Sequence, residues 1–340
     1  MGIGDYLMFL KALEGFRIED ERICWVVKPE CEELIRFFFP DSPTVVLPGN
    51  TESSLGQTLR YLVKEVQQKT KPENRGFLIL DYKTKPVLFF TMAARLSGSK
   101  KIAGHCTLGI VSRVFRHIGP MEAYRSLHEV DRYRDLLKLS VQAAYEPAKS
   151  YRNLLENYPL PHIAAGAHGR DAAGLIAIAT GSARPFKKWS VDKFEALCRR
   201  FLADGYHILL IGGPFDRDEA AHLEAALNTS KAVNCTGQTG ILGSGRLLLE
   251  TNLLITNDSA MMHFADLLGT PVVGIFGITN PARCGPYSQQ QNCIVAKHPM
   301  ARLYAFGEFP DWTDECINEL TVEDVYLQTN TVLANESLKT

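Results

Sequence analysis

The sequence predicts an α/β protein made of two Rossmann-like halves that face one another across a cleft, and three observations predict it. The chain has 340 residues, more than one ordinary domain of about 100–200 residues accommodates. Short apolar runs alternate with longer amphipathic ones, the pattern of a parallel sheet covered by helices on both faces. Between two stretches of this alternation, Pro147, Pro159, Pro161, Gly166, Gly169 and Gly174 crowd into a segment with few large apolar side chains, which marks a domain junction.

Taken in order, residues 23–27, 44–47, 77–80 and 101–104 read as strands of the first half. Helices fit at 5–16, 29–39, 55–69 and 85–97. After the junction, strands at 175–179, 206–211, 253–256 and 272–276 alternate with helices at 191–203, 217–228 and 259–268. Ligands of such sheets sit beyond the carboxyl ends of the strands, so the loops after Ala179, Ile211, Thr256 and Phe276 are expected to line one site.

Composition narrows the function. Hydrophobic residues make up 46% of the chain and charged ones 22%, enough for substantial cores and unlike a disordered or fibrous sequence. A net charge of −1 argues against a surface built to coat nucleic acid. The best apolar run, 271–278, carries two glycines and falls well short of the ~20 residues of a membrane-spanning helix. The opening residues lack the basic start and apolar core of a secretory signal, so a cytoplasmic location is expected. Eight cysteines are scattered without a Cys-x-x-Cys pair, so neither a disulfide framework nor a zinc site is indicated and buried thiols are expected.

Four loop constellations carry possible chemistry. In Thr180-Gly181-Ser182-Ala183-Arg184-Pro185-Phe186-Lys187-Lys188-Trp189-Ser190, a strand ends in small residues that let backbone approach a ligand. Cations follow before a helix capped by Ser190. Trp189 and Phe194 hold the staple positions around that cap and aim the loop. Aimed charge suits a phosphate; solvated loop lysines are the plainer reading. In Asn257-Asp258-Ser259-Ala260-Met261-Met262-His263, a buried strand opens a helix whose free N–H groups and dipole attract an anion or polyol. Ser259 and His263 share one helical face, and Asp258 either grips sugar hydroxyls or caps the helix.

The turn Phe276-Gly277-Ile278-Thr279-Asn280-Pro281 could bind a nucleotide or simply turn the chain. In Gly212-Gly213-Pro214-Phe215-Asp216 the acid pairs with Glu219 as a capping box. At the start, Gly2-Ile3-Gly4-Asp5 places a carboxylate at a helix N-terminus, as a general base or as a cap. From Lys83 to Arg116 there are seven Lys and Arg (83, 85, 95, 100, 101, 113 and 116) and no acid, a cationic side for an anionic acceptor, acidic lipid head groups or solvent.

Together, Gly4-Asp5, Lys187-Lys188-Trp189-Ser190, Gly212-Gly213, Asn257-Asp258-Ser259 with His263, and Phe276-Gly277-x-Thr279-x-Pro281 resemble glycosyltransferase family 9, the heptosyltransferases of the lipopolysaccharide inner core. The resemblance covers most of residues 2–330, and its specific part is 176–287. It implies a GT-B architecture. Residues 1–155 would bind the acceptor, 156–320 the nucleotide sugar, and the helix within 321–340 would pack back toward the first domain.

It further implies inverting transfer from ADP-L-glycero-β-D-manno-heptose to an anionic, lipid-linked saccharide, without a metal or cofactor. A peripheral contact at the inner face of the inner membrane would go with that acceptor. By resemblance Asp5 is the catalytic base. Ser182, Lys187, Lys188, Asp258, Ser259, Ala260, His263, Gly277 and Thr279 would bind the donor, and Lys83, Lys100, Lys101, Arg113 and Arg116 the acceptor. Three departures stand out. The family usually has a strand before the Gly-Asp turn, yet here Met1 directly precedes Gly2, so either that strand is missing or the start is misassigned. Ala260 stands where glycine is usual, and His298-Pro299-Met300-Ala301 replaces a cysteine pair. The alternatives are a catalytically silent nucleotide-sugar-binding protein, or a transferase using another nucleotide sugar or a protein acceptor.

Overall fold

The computed structural model describes residues 2–14, 16, 24–48, 54–70, 76–79, 84–99, 101–104, 127–140, 150–162, 173–299, 301–302 and 314–338. The chain divides into two compact units, Met1–Lys149 and Ser150–Thr340.

In the first unit, helix α1 (Ile3–Leu13) precedes strand β1 (Trp25–Val27), α2 (Pro29–Phe38), β2 (Thr44–Val46), α3 (Leu55–Lys69), β3 (Gly76–Ile79), α4 (Thr84–Leu96), β4 (Lys101–Gly104) and α5 (Glu129–Ser140). The strands form two parallel pairs among the described residues, β1 with β2 and β3 with β4. Helix α3 begins where expected, and its start is chemically marked. Ser54 accepts from the Gln57 N–H at 3.3 Å, and the Gln57 side chain reaches back to the Ser54 N–H at 2.7 Å, a reciprocal box that satisfies two orphan donors. Buried Phe9 on α1 meets Trp25 of β1 at 5.8 Å and Tyr133 of α5 at 5.6 Å, both edge-on. This geometry favours the ring quadrupoles and locks three elements into one core.

In the second unit, α6 (Tyr151–Glu156) is followed by β5 (Leu175–Ala179), α7 (Val191–Ala203), β6 (His207–Leu210), α8 (Arg217–Leu227), β7 (Ala232–Asn234), α9 (Ile241–Leu248), β8 (Leu253–Asn257), α10 (Ala260–Leu268), β9 (Val272–Phe276), α11 (Pro281–Cys284), β10 (Ile294–Val295), α12 (Glu315–Asn318) and α13 (Val322–Ser337). Six parallel strands run in the order β10-β9-β8-β5-β6-β7. Strands β5, β8 and β9 are buried along their whole length, which is why they read as unbroken apolar runs. The order reverses between β5 and β8, so the loops after Ala179 and Asn257 flank the switch point where doubly wound sheets take ligands.

Helix α13 lies on α7, β9 and β10. Thr321 and Asp324 box its N-terminus, and Tyr326 packs against Phe201 while its hydroxyl donates to Asp204 at 2.9 Å. Burial pushes the thiols of Cys24 and Cys235 up to about 11 and that of Cys198 up to about 12, the behaviour of inert small apolar residues. No described helix is long and apolar enough to cross a membrane.

Candidate functional site

The carboxyl ends of β5 and β8 are stitched together by polar bonds. Asn257, fully buried at the end of β8, accepts from the Trp189 N–H at 3.1 Å through Oδ1 and donates from Nδ2 to the Thr180 carbonyl at 2.7 Å. The Ser182 hydroxyl donates to the Asp258 carbonyl at 3.0 Å. A short 3-10 turn, Pro185–Lys187, then carries Lys187, and Lys188 follows as its C-cap. The Lys187 ammonium lies 2.6 Å from Asp258 Oδ2, with the acid 7% and the lysine 20% exposed. The Lys188 ammonium lies 2.6 Å from Glu219 Oε1.

What aims the turn is the aromatic staple. Trp189 is buried edge-on against Phe194 at 5.0 Å, and its indole N–H donates to the Leu320 carbonyl at 3.0 Å. The Ser190 side chain does not cap α7. Its N–H instead donates to Asn318 Oδ1 at 2.9 Å, and Lys193 bonds the Asn318 and Leu320 carbonyls. The segment around α12 thereby holds the cationic turn from the far side.

Ser259 is the N-cap of α10, and its hydroxyl pairs with that of Thr256 at 3.0 Å and not with the helix's own amides. Ala260 opens the helix and buried His263 follows one turn on. At the end of β9, Gly277 has no room for a side chain. A Cβ there would come within 2.9 Å of the Ile317 backbone nitrogen, so glycine is required by packing against α12. Thr279 is buried, and Asn280 caps α11 through the Ala282 N–H at 3.0 Å.

Two expectations about acids change. Asp216 and Glu219 do not form a capping box. The Asp216 carboxylate turns back to the Gly213 N–H at 2.9 Å, while Glu219 is drawn to Lys188 across 31 residues, because a lysine offers it a full charge and the local amide only a dipole. Burial holds the Asp216 carboxyl above its ordinary value, against the pull of the Gly213 amide and Lys188. Gly181 was expected to let backbone approach a ligand. The space beside it is filled by Asp216, whose carboxylate would lie 2.4 Å from an added Cβ.

In the first unit, Asp5 stands in the opening turn of α1 and its Oδ2 accepts from the Gly2 N–H at 2.7 Å. Lys83, Lys100, Arg113 and Arg116 lie outside the described residues, and Lys101 begins β4 with its side chain outside them. Among the described residues no group of three or more His, Cys, Asp or Glu could hold a metal ion.

The structure therefore brings Ser182, Lys187 and Asp258 into direct contact, with Ser259 adjoining. Sequence reasoning missed Asn257, Asn318 and Glu219 as the residues that hold the lysine turn. The available signal was a polar residue ending an otherwise apolar strand, Leu253-Leu254-Ile255-Thr256-Asn257. A fully buried amide must find partners for both of its ends.

The model of glycosyltransferase family 9 (heptosyltransferase) matches residues 107–304. The chain is 25% identical over 158 residues to lipopolysaccharide heptosyltransferase 2 of Escherichia coli (strain K12), a match covering 45% of this chain and 44% of that one. The chain thus spans less than half the length of this curated relative. Among solved structures, a family 9 glycosyl transferase from Veillonella parvula DSM 2008 superposes with a TM-score of 0.72 at 20% identity, covering 98% of this chain and 95% of that one. The E. coli heptosyltransferase WaaC with ADP superposes with a TM-score of 0.66 at 16% identity, covering 98% and 97%.

Proposed function

The chain belongs to glycosyltransferase family 9 and has its GT-B fold, and from that premise we propose that it moves heptose from ADP-L-glycero-β-D-manno-heptose, with inversion, to a hydroxyl of an anionic lipid-linked saccharide of the lipopolysaccharide inner core. Support comes from the family match, the curated relative and the solved relative that holds ADP. Within this chain, the observation that carries the reading is the contact of Ser182, Lys187 and Asp258 at the sheet's switch point. One cation and one acid fixed beside a helix N-terminus suit a sugar diphosphate better than they suit either half of it alone.

The chemistry divides among the residues. Asp5 takes the proton of the acceptor hydroxyl as its oxygen attacks the anomeric carbon. The bond from that carbon to the diphosphate oxygen breaks, and ADP leaves with its charge met by Lys187, flanking Lys188 and the opening amides of α10 at Ala260. Asp258 takes the heptose hydroxyls. Ser182, Ser259, His263, Gly277 and Thr279 complete the donor loops. Lys83, Lys100, Lys101, Arg113 and Arg116 attract the anionic acceptor and the acidic lipid surface it is anchored in, so the protein works at the cytoplasmic face of the inner membrane.

The test is acceptor-dependent ADP release by the purified protein from ADP-heptose and a Kdo-lipid A type acceptor. Asp5→Ala is expected to lower that rate by about 100-fold or more. Donor binding with no release by the unaltered protein overturns the transferase reading in favour of a silent binder, and an unaffected Asp5→Ala variant overturns the base assignment.

A further inference from the structure

One ammonium cannot give its full charge to two anions at once, and Lys187 already spends part of its charge on Asp258 at 2.6 Å. The acid has little freedom to withdraw. Its own carbonyl holds the Ser182 hydroxyl, the preceding Asn257 is clamped to Trp189 and Thr180, and its side chain is 7% exposed. A diphosphate that reaches Lys187 must therefore settle beside a fixed carboxylate, a like-charge contact that partial burial strengthens. A sugar attached to the diphosphate presents hydroxyl donors that can satisfy the carboxylate as the lysine turns to phosphate. A bare nucleotide keeps its ribose hydroxyls on the far side of the diphosphate and has none beyond the terminal phosphate, and pyrophosphate has no sugar hydroxyl at all.

Resting on the donor assignment made above, we propose that Asp258 determines specificity by rejecting diphosphates whose terminal phosphate carries no sugar. The carboxylate lowers the affinity of Lys187 and the α10 amides for free ADP and related anions, and only a polyol on the terminal phosphate relieves that penalty. The same repulsion, returning when the sugar departs, speeds release of the ADP product. Discrimination thus comes from a penalty on the wrong ligand as well as from attraction to the right one.

The measurement is calorimetric titration of the full chain with ADP, inorganic pyrophosphate and ADP-heptose. The isosteric Asp258→Asn variant is expected to bind ADP and pyrophosphate about tenfold more tightly than the unaltered protein. It should bind ADP-heptose no more tightly, so that the preference for the sugar nucleotide falls by about tenfold or more. Lys187→Ala should weaken all three. A purely structural role for the pair would leave Asp258→Asn weaker toward every ligand, and unchanged or weaker ADP and pyrophosphate binding overturns the proposal while ADP-heptose binding by the unaltered protein leaves the donor assignment standing. An unaltered protein that fails to bind ADP-heptose overturns both. Asp258→Ser, smaller and neutral, carries the same expectation should the asparagine variant not fold.

Discussion

Lys187 and Lys188 are neighbours in the chain, and each places its ammonium 2.6 Å from a carboxylate, yet the two pairs are physically different objects. Asp258 is 7% exposed and rises from the end of a strand buried along its whole length; Glu219 is 31% exposed and stands on the first turn of α8. Around Asp258 the backbone is held by Ser182 and Asn257. Identical distances therefore hide different stiffness. In the inner pair the acid is buried and oriented by its backbone, so a ligand that reaches Lys187 must exchange partners with it one for one. The outer pair is half wet, and its charges are screened by water and salt.

The comparison breaks most decisively at Lys187. Lys187→Ala removes the cation proposed to meet the diphosphate and leaves Asp258 without its partner. Acceptor-dependent ADP release is expected to fall by about 10²–10³-fold in kcat/KM, the range for losing one preorganised charge-stabilising group. Adding Asp258→Asn to that variant should recover folding stability without recovering turnover. If Lys187→Ala and Lys188→Ala lose equal activity, the distinction drawn between the two lysines is wrong.

Next in size is Asn257, the residue that makes the inner pair stiff. Asn257→Ala leaves the Trp189 N–H and the Thr180 carbonyl without their partner, and each buried orphan costs about 1–3 kcal/mol. Urea unfolding should show a loss of about 2–4 kcal/mol with an unchanged slope. A loss below about 0.5 kcal/mol, the level of an ordinary surface change, would mean that the clamp is not what orients the lysine turn.

How much of this was legible in the sequence follows the range of each interaction. Helix α3 starts where expected, and Ser54 and Gln57 mark that start within three residues. Strands β5 and β9 likewise announce themselves as buried apolar runs. Helix α9 does not. Gly243 and Gly245 interrupt the apolar pattern of Ile241–Leu248, and a Cβ at 245 would come within 2.3 Å of the Phe264 ring, so the glycine lets α10 pack close. Strand β7 (Ala232–Asn234) gives no apolar run to read, since it has one β-branched residue and is buried only at Ala232.

The site shows the same division. That cations at 187 and 188 precede a stapled helix was readable, because the staple is local. That Lys187 would meet Asp258 and Lys188 would meet Glu219 was not, since these partners lie 71 and 31 residues away and only the sheet order brings them together. Asp216 and Glu219 were misjudged for the same reason. The spacing allows a local box, and a distant lysine outcompetes it.

The smallest expected effect sharpens the comparison where it is subtlest. In a double-mutant cycle, Lys188→Ala and Glu219→Ala should couple by no more than about 1 kcal/mol, the range for exposed pairs. Lys187→Ala with Asp258→Ala should couple more strongly, because removing Lys187 leaves the buried Asp258 carboxylate without its partner. Salt separates the pairs further. Raising ionic strength from ~0.05 to ~0.5 M shortens the screening length to about 4 Å, which should erase the 188–219 coupling and leave most of the 187–258 coupling in place. Equal salt sensitivity would show that burial of Asp258 does not insulate its pair, and would remove the basis of the proposed discrimination between a sugar diphosphate and a bare one.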